Sequence, residues 1–191
     1  MSLLHRMARK KAVSYEALTF TASGTLNVIG NGTSTVSIAK VSGGGNWDSH
    51  AYASTPFTAP ITVEFNKLAE SYDNSASYAM ISLNEDPTSD ASYSSLDYAA
   101  YPYRSDVYSV YHNSNQVHFS GGWNPAVTFY LVYATNGFIY HYNGSNLLYS
   151  VNWGGGRTVY IDSSFYSVNG TYSRFYNVRA IRKTWNGSAY V

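Results

Sequence analysis

Four carboxylates crowd one short stretch, Glu85, Asp86, Asp90 and Asp97 in "SLNEDPTSDASYSSLDYAAY" from Ser82 to Tyr101. Paired carboxylates flanking a sugar bond can run general acid and base chemistry, and a cluster of them can hold calcium. The spacing supports neither. A calcium loop gathers roughly six to eight oxygens from alternating acidic positions around a central glycine, and this stretch has no such run. Asp86 precedes Pro87, which restricts the chain there, Asp90 can accept from a backbone amide two residues on, and Asp97 leads into a strand. These acids therefore read as turn builders. Elsewhere "VEFNKLAE" supplies only Glu64 and Glu70. Strand alternation with Ile61, Val63 and Phe65 places Glu64 on the outward, solvated face. A glycanase would need Glu64 or Asp97 without the paired carboxylate strand that such chemistry uses.

Other catalytic arrangements are missing from the pattern. The chain has no cysteine, so thiolate catalysis, zinc-thiolate sites and disulfides are all excluded. His5, His50, His112, His118 and His141 are dispersed, with no spacing that brings two onto one metal. There is no nucleophile elbow, phosphate loop or dinucleotide fingerprint. We expect no catalytic residue, no metal and no cofactor.

Aromatic residues beside amides are more suggestive. A sugar stacks its C–H face on Trp or Tyr while polar neighbours bond its hydroxyls. Trp47 sits between Asn46 and Asp48, Trp123 precedes Asn124, and Trp153 follows Asn152, each near glycine. Trp47, Asp48, Trp123, Asn124 and Trp153 are thus candidate glycan-binding residues; the alternative is that these rings plug the ends of the fold or anchor a subunit contact. The chain also carries 20 tyrosines, more than one core buries with every hydroxyl satisfied. Tyr98, Tyr101, Tyr103, Tyr108 and Tyr111 are the densest group, and we expect Asp97 to His112 to form a subunit or ligand contact. Asn31, Asn143, Asn169 and Asn186 begin Asn-Gly-Ser/Thr sequons, which equally suit turns.

The elements that must position these groups are strands. The 191 residues suit one domain, and no segment sustains a helical period. Short β-branched and aromatic runs recur between Gly, Asn, Asp, Ser and Pro, giving eleven to thirteen expected strands. Asn31-Gly32 suits a tight hairpin, "AVTFYLVYA" a central strand, and "GFIYHYNGSNLLYSV" a hairpin turning at Asn143-Gly144. "SGGGNW" reads as a loop. A two-sheet antiparallel sandwich is the natural package. Charge is uneven: Arg6, Arg9, Lys10 and Lys11 precede the first acid, and four more cations follow the last. Between them, Lys40, Lys67, Arg104 and Arg157 face all eleven acids, a balance of −7. We expect residues 1–13 to be a basic assembly arm on a single domain spanning 14–191. Sequence-specific nucleic-acid binding is not expected from this balance, and no apolar run is long enough for a transmembrane helix.

"AMISLNEDPTSDASYSSLDYAAYPY" resembles a recurrent segment of concanavalin A-like jelly-roll domains in bacteriophage and other viral structural proteins. "FYLVYATNGFIYHYNGSNLLYS" is similar to the matching hairpin of that family, and "WDSHAYAS" to the loop before its first long strand. The resemblance covers about residues 44 to 152. It implies a lectin-like jelly roll with "FYNVRAI" beside the first strand, and a non-enzymatic virion component of a capsid, spike, fiber or tail. Its partners would be other virion proteins, through the basic arm, in a homo-oligomer or larger assembly. The alternative it leaves open is a glycan-binding, receptor-recognition module with a host glycan as partner.

Overall fold

The fold is described from a computed structural model, over residues 13–68, 78–88, 90–104, 107–166 and 173–191. Among these the chain forms fourteen strands. They are β1 (Phe20–Ser23), β2 (Leu26–Ile29), β3 (Val36–Lys40), β4 (Ser49–Ala53), β5 (Ile61–Asn66), β6 (Ala79–Asn84) and β7 (Ala99–Arg104). Then come β8 (Val107–His112), β9 (Asn115–Gly121), β10 (Phe129–Tyr133), β11 (Phe138–Asn143), β12 (Asn146–Asn152), β13 (Tyr160–Phe165) and β14 (Arg174–Ile181). Two seven-stranded antiparallel sheets result, in the orders β1-β4-β13-β6-β7-β8-β9 (the front sheet) and β12-β11-β10-β5-β14-β3-β2 (the back sheet). This is the expected jelly-roll sandwich. The basic arm residues Arg6, Arg9, Lys10 and Lys11 lie outside the described residues, as do Glu70 and Asn169.

Alternate side chains of both sheets meet in one core. Ile61, Val63 and Phe65 of β5 turn inward as their alternation requires. Phe65 stacks on Phe129 at 5.1 Å and meets Phe175 edge-on at 5.4 Å. Full burial of each such ring contributes about 1.5–3 kcal/mol, so this layer is a substantial part of what holds the two sheets together. Strand β10 is an interior strand of the back sheet, paired with β5 and β11, as its apolar run implies. The β11–β12 hairpin closes at Asn143 and Asn146.

Several details differ from the sequence reading. Strands β1 and β4 were not expected, because "FTAS" and "SHAYA" are short, small-residue runs; Phe20 of β1 and Ala51 and Ala53 of β4 nonetheless face the core. The β2–β3 connection is wider than a two-residue turn. Asn31 reaches out of it, accepting from Phe20 N at 2.6 Å and donating to Phe20 O at 3.1 Å. Asn143 likewise binds the Asn124 backbone, and Asn186 accepts from Ser188 N and Ala189 N, so three sequon asparagines serve turns. Strand β14 pairs with β3 and β5, while Glu16 N donates to Ala180 O beside it.

Glu64 is the clearest departure. It does face outward from the sandwich, yet it is only 3 % exposed. The preceding chain and residues 183–191 fold over the back sheet and cover it. Tyr15 donates to its carboxylate at 3.0 Å, Tyr190 donates to the same oxygen, and Arg179 pairs with the other. Alternation fixes which way a side chain points and says nothing of what a distant segment lays over it.

Candidate functional site

The outer face of the front sheet carries an aromatic pocket. Met80 of β6 forms its floor, and Tyr101 of β7 and Tyr111 of β8 rise beside it because alternate residues of paired strands share a face. Tyr78 meets Tyr101 edge-on at 5.9 Å, and Tyr103 stacks on Tyr101 at 4.4 Å. The segment after β6 crosses this face and adds Tyr93, which meets Tyr111 edge-on at 5.8 Å. Trp47 closes the ring, 4.9 Å from Tyr93, 5.6 Å from Tyr166 and 6.1 Å from Tyr101. These side chains, with Tyr103 behind Tyr101, surround an open pocket of about 250 Å³ lined by the other seven. That is small against ligand sites of roughly 300–1,000 Å³, so it suits one ring of a longer ligand.

Among the described residues no charged side chain lines the pocket. Burial, reinforced by the neighbouring phenols, pushes the Tyr101 hydroxyl far above the ordinary tyrosine range. Burial also raises Tyr111. These hydroxyls stay neutral at physiological pH, each able to donate and accept, between rings that present apolar faces. The arrangement suits an uncharged, polyhydroxylated ring.

Trp47 is held by a buried cation. Lys40 ends β3 on the inward side and has no exposed side-chain surface. Its ammonium donates to Gly44 O at 3.1 Å, Asn46 O at 3.0 Å, Tyr166 O at 3.1 Å and Asp48 Oδ1 at 2.5 Å. Burying an unpaired ammonium would cost several kcal/mol, which these four oxygens offset. The pairing holds the Asp48 carboxyl below its ordinary range. Asp48 thus positions the loop, and it does not line the pocket.

The acidic stretch is the strap across the front sheet. Asp90 accepts from Ser92 N at 2.7 Å and Ser95 Oγ at 3.1 Å, and Ser92 caps the short 3-10 turn Tyr93–Ser95 that presents Tyr93. Asp97 accepts from Glu85 N at 3.3 Å, closing the strap on itself, and burial pushes its carboxyl up. Glu85 pairs with Arg157. Beneath the strap, Asp162 of β13 accepts from Asn84 Nδ2 and Ser163 N, both at 2.7 Å. Burial, with smaller contributions from Asp86 and Asp90, pushes its carboxyl up to about 7. Among the described residues no group of three or more acidic or histidine side chains could hold a metal ion. Glu64 and Asp97 belong to opposite faces of the sandwich, so they cannot flank one sugar bond.

The other candidates divide sharply. Trp123 is 7 % exposed and packs on Phe129 at 5.1 Å, while Trp153 is 8 % exposed and packs on Tyr133 at 5.7 Å. Trp153 plugs the sandwich, whereas Trp123 is anchored in the core and also lines, with Asn124, Asn143 and Asn146, an open pocket of about 460 Å³ beside the β11–β12 turn, remote from the aromatic ring of the front sheet. Asn124 turns its own loop, accepting from Ala126 N at 2.9 Å. Tyr108 cannot be a contact residue either: it points into the core, 1 % exposed, with its hydroxyl 2.5 Å from His141 Nδ1. Tyr98 stacks on His112 at 4.2 Å and meets Trp153 edge-on, away from the pocket. Tyr101, Tyr103 and Tyr111 do converge. Tyr78, Tyr93 and Tyr166 were missed, since each is brought in from a different connection.

The fold is a jelly-roll sandwich of the concanavalin A-like type with an aromatic pocket on its front sheet. The sequence matches no protein-family model, and no curated protein is similar to it. Among solved structures, the TRIM65 PSpry domain is similar at TM-score 0.59 and 11% identity, over 85% of this chain and 90% of that one. The VIP36 exoplasmic/lumenal domain in its Ca2+/Man3GlcNAc-bound form follows at TM-score 0.57 and 8% identity, over 87% and 84%. The Bacillus licheniformis beta-glucanase is similar at TM-score 0.50 and 10% identity, over 92% and 100%. At these identities the likeness is one of fold.

Proposed function

We propose that this chain is a non-enzymatic carbohydrate-binding module that takes one uncharged sugar residue of a longer glycan into the front-sheet pocket. The observation that carries the reading is the uncharged ring of Trp47, Tyr93, Tyr101 and Tyr111 around an open pocket. The glycan-bound VIP36 form supports it, as a similar fold that holds a sugar. The virion shell role, with the basic arm as its attachment, rests on the motif resemblance alone and gives the pocket no task.

Binding to an immobilised series of neutral mannose, glucose and galactose oligomers tests the proposal. Trp47→Ala should weaken the best hit at this pocket about 30-fold, the loss of a central aromatic anchor of about 2 kcal/mol. Its unfolding transition should stay close to the original, because Trp47 is half-buried on the surface. A Trp47→Ala protein that binds as well as the original overturns the site. Since aromatic cages also attract quaternary ammonium groups, choline binding in preference to every neutral sugar would overturn the ligand class.

A further inference from the structure

The back sheet carries a second aromatic platform on the opposite side of the molecule. Phe138, Tyr140 and Tyr142 occupy successive outward positions of β11, with rings 5.7 Å and 6.2 Å apart and inclined by 20° and 30°. Such a ladder follows from strand alternation alone. Trp185 then arrives from the segment after β14 and stacks on Tyr130 at 4.3 Å. It is fixed by its own backbone N–H, which donates to Thr62 Oγ1 at 3.0 Å, and by its indole N–H, which donates to Gly144 O at 3.3 Å. Tyr140, Tyr142 and Trp185 border an open pocket of about 340 Å³, with Asn136 and Asn186 also lining it.

The polar groups here are partly committed in a way that leaves donors for a ligand. Asn136 Nδ2 donates to the Tyr140 hydroxyl at 2.8 Å, so that phenol keeps its own proton to give. Asn186 uses its carbonyl oxygen on Ser188 and Ala189, which leaves its amide hydrogens. The lining side chains carry no charge. Fixed rings with phenol donors are shared with the front pocket, and here Asn136 and Asn186 add side-chain amides.

We infer that this back-sheet pocket is a second site for an uncharged sugar residue, making the chain bivalent, with binding sites on opposite faces. The ligand class rests on the proposed function of the front pocket; the site itself does not share a residue with it. Two sites facing apart cannot grip one short oligosaccharide together, so they cross-link separate glycan chains.

Equilibrium dialysis of the full chain against the neutral hexose oligomers, with agglutination of beads bearing them, tests the inference. The original protein should bind two equivalents and agglutinate beads, with multivalent avidity on the order of a hundredfold above a single site. Tyr140→Ala and Trp47→Ala should each leave one equivalent and abolish agglutination, and the double variant should bind none. Tyr140→Phe keeps the ring and loses only the hydroxyl donor, so it should still bind a second equivalent with affinity lowered several-fold, which separates ligand loss from misfolding. A single equivalent that Tyr140→Ala leaves untouched overturns the second site. Loss confined to Tyr140→Ala, with Trp47→Ala unaffected, would overturn the front-pocket reading and leave this one standing; no binding by the original protein would overturn both.

Discussion

Lys40→Met is expected to leave a folded sandwich that has lost sugar binding at the front pocket. Methionine nearly matches the buried length of lysine, so it opens no large cavity in the core. What disappears is the ammonium that gathers Gly44, Asn46, Asp48 and Tyr166. Gly44, Asn46 and Asp48 are exposed and can return to water, so the cost falls mainly on the loop and less on the domain. Trp47 lies inside that loop, and a misplaced anchor of this kind should cost on the order of ten- to a hundredfold in affinity. Calorimetric titration beside a chemical denaturation curve separates the two effects. Unchanged affinity in a folded Lys40→Met protein would show that the cage does not position Trp47. Because the ammonium itself fills the space between the four oxygens, added chelator should leave binding unchanged in the original protein.

Asp162→Asn is expected to stabilise the protein at pH 8. Its carboxyl is raised from an ordinary 3.8 to about 7, chiefly by burial beneath the strap. A raised acid contributes stability that is fully present below about pH 3.8 and lost as pH rises through about 7. At pH 8 the folded protein therefore holds a buried charge that asparagine would not carry. The gain is on the order of 2–4 kcal/mol, reduced by whatever the Asn84 amide loses in turning its carbonyl toward the new side chain.

His141 works in the opposite sense. Burial, with a smaller push from His118, lowers it from 6.5 to about 3. Its contribution is fully present above about pH 6.5 and is lost as pH falls through about 3. Between about pH 3.8 and 6.5 the two groups pull against each other, and the original protein should show a shallow profile there. Asp162→Asn removes one side of that balance. Its melting temperature should fall steadily from pH 6.5 downward, while exceeding that of the original at pH 8. A variant less stable than the original at pH 8 would contradict the buried, raised carboxyl.

Much of this molecule is legible in its sequence, for reasons that also mark where reading stops. The β5, β10 and β11–β12 segments announce themselves because alternation or a continuous apolar run survives in them intact. Strand β4 hides because its core-facing residues are serine and alanine. The error at Tyr108 was avoidable: Tyr108 and Tyr111 stand three apart on one strand and so must face opposite ways. Trp185 could also have been found, since Trp185-Asn186-Gly187 repeats the Trp, amide and glycine grouping that singled out the other tryptophans. Tyr78, Tyr93 and Tyr166 had no such signal. They join the pocket only because the strap, the lead into β6 and the exit from β13 meet over one face, which local sequence does not encode.

The most direct measurement follows the indole N–H resonances of the four tryptophans while the best neutral oligosaccharide is titrated in. Trp153 is packed in the sandwich and Trp123 faces a separate pocket, so both should stay in place, whereas Trp47 on the front face should shift and saturate with the ligand, with Trp185 reporting the back face. A Trp47 resonance that remains unmoved while binding saturates would contradict the account.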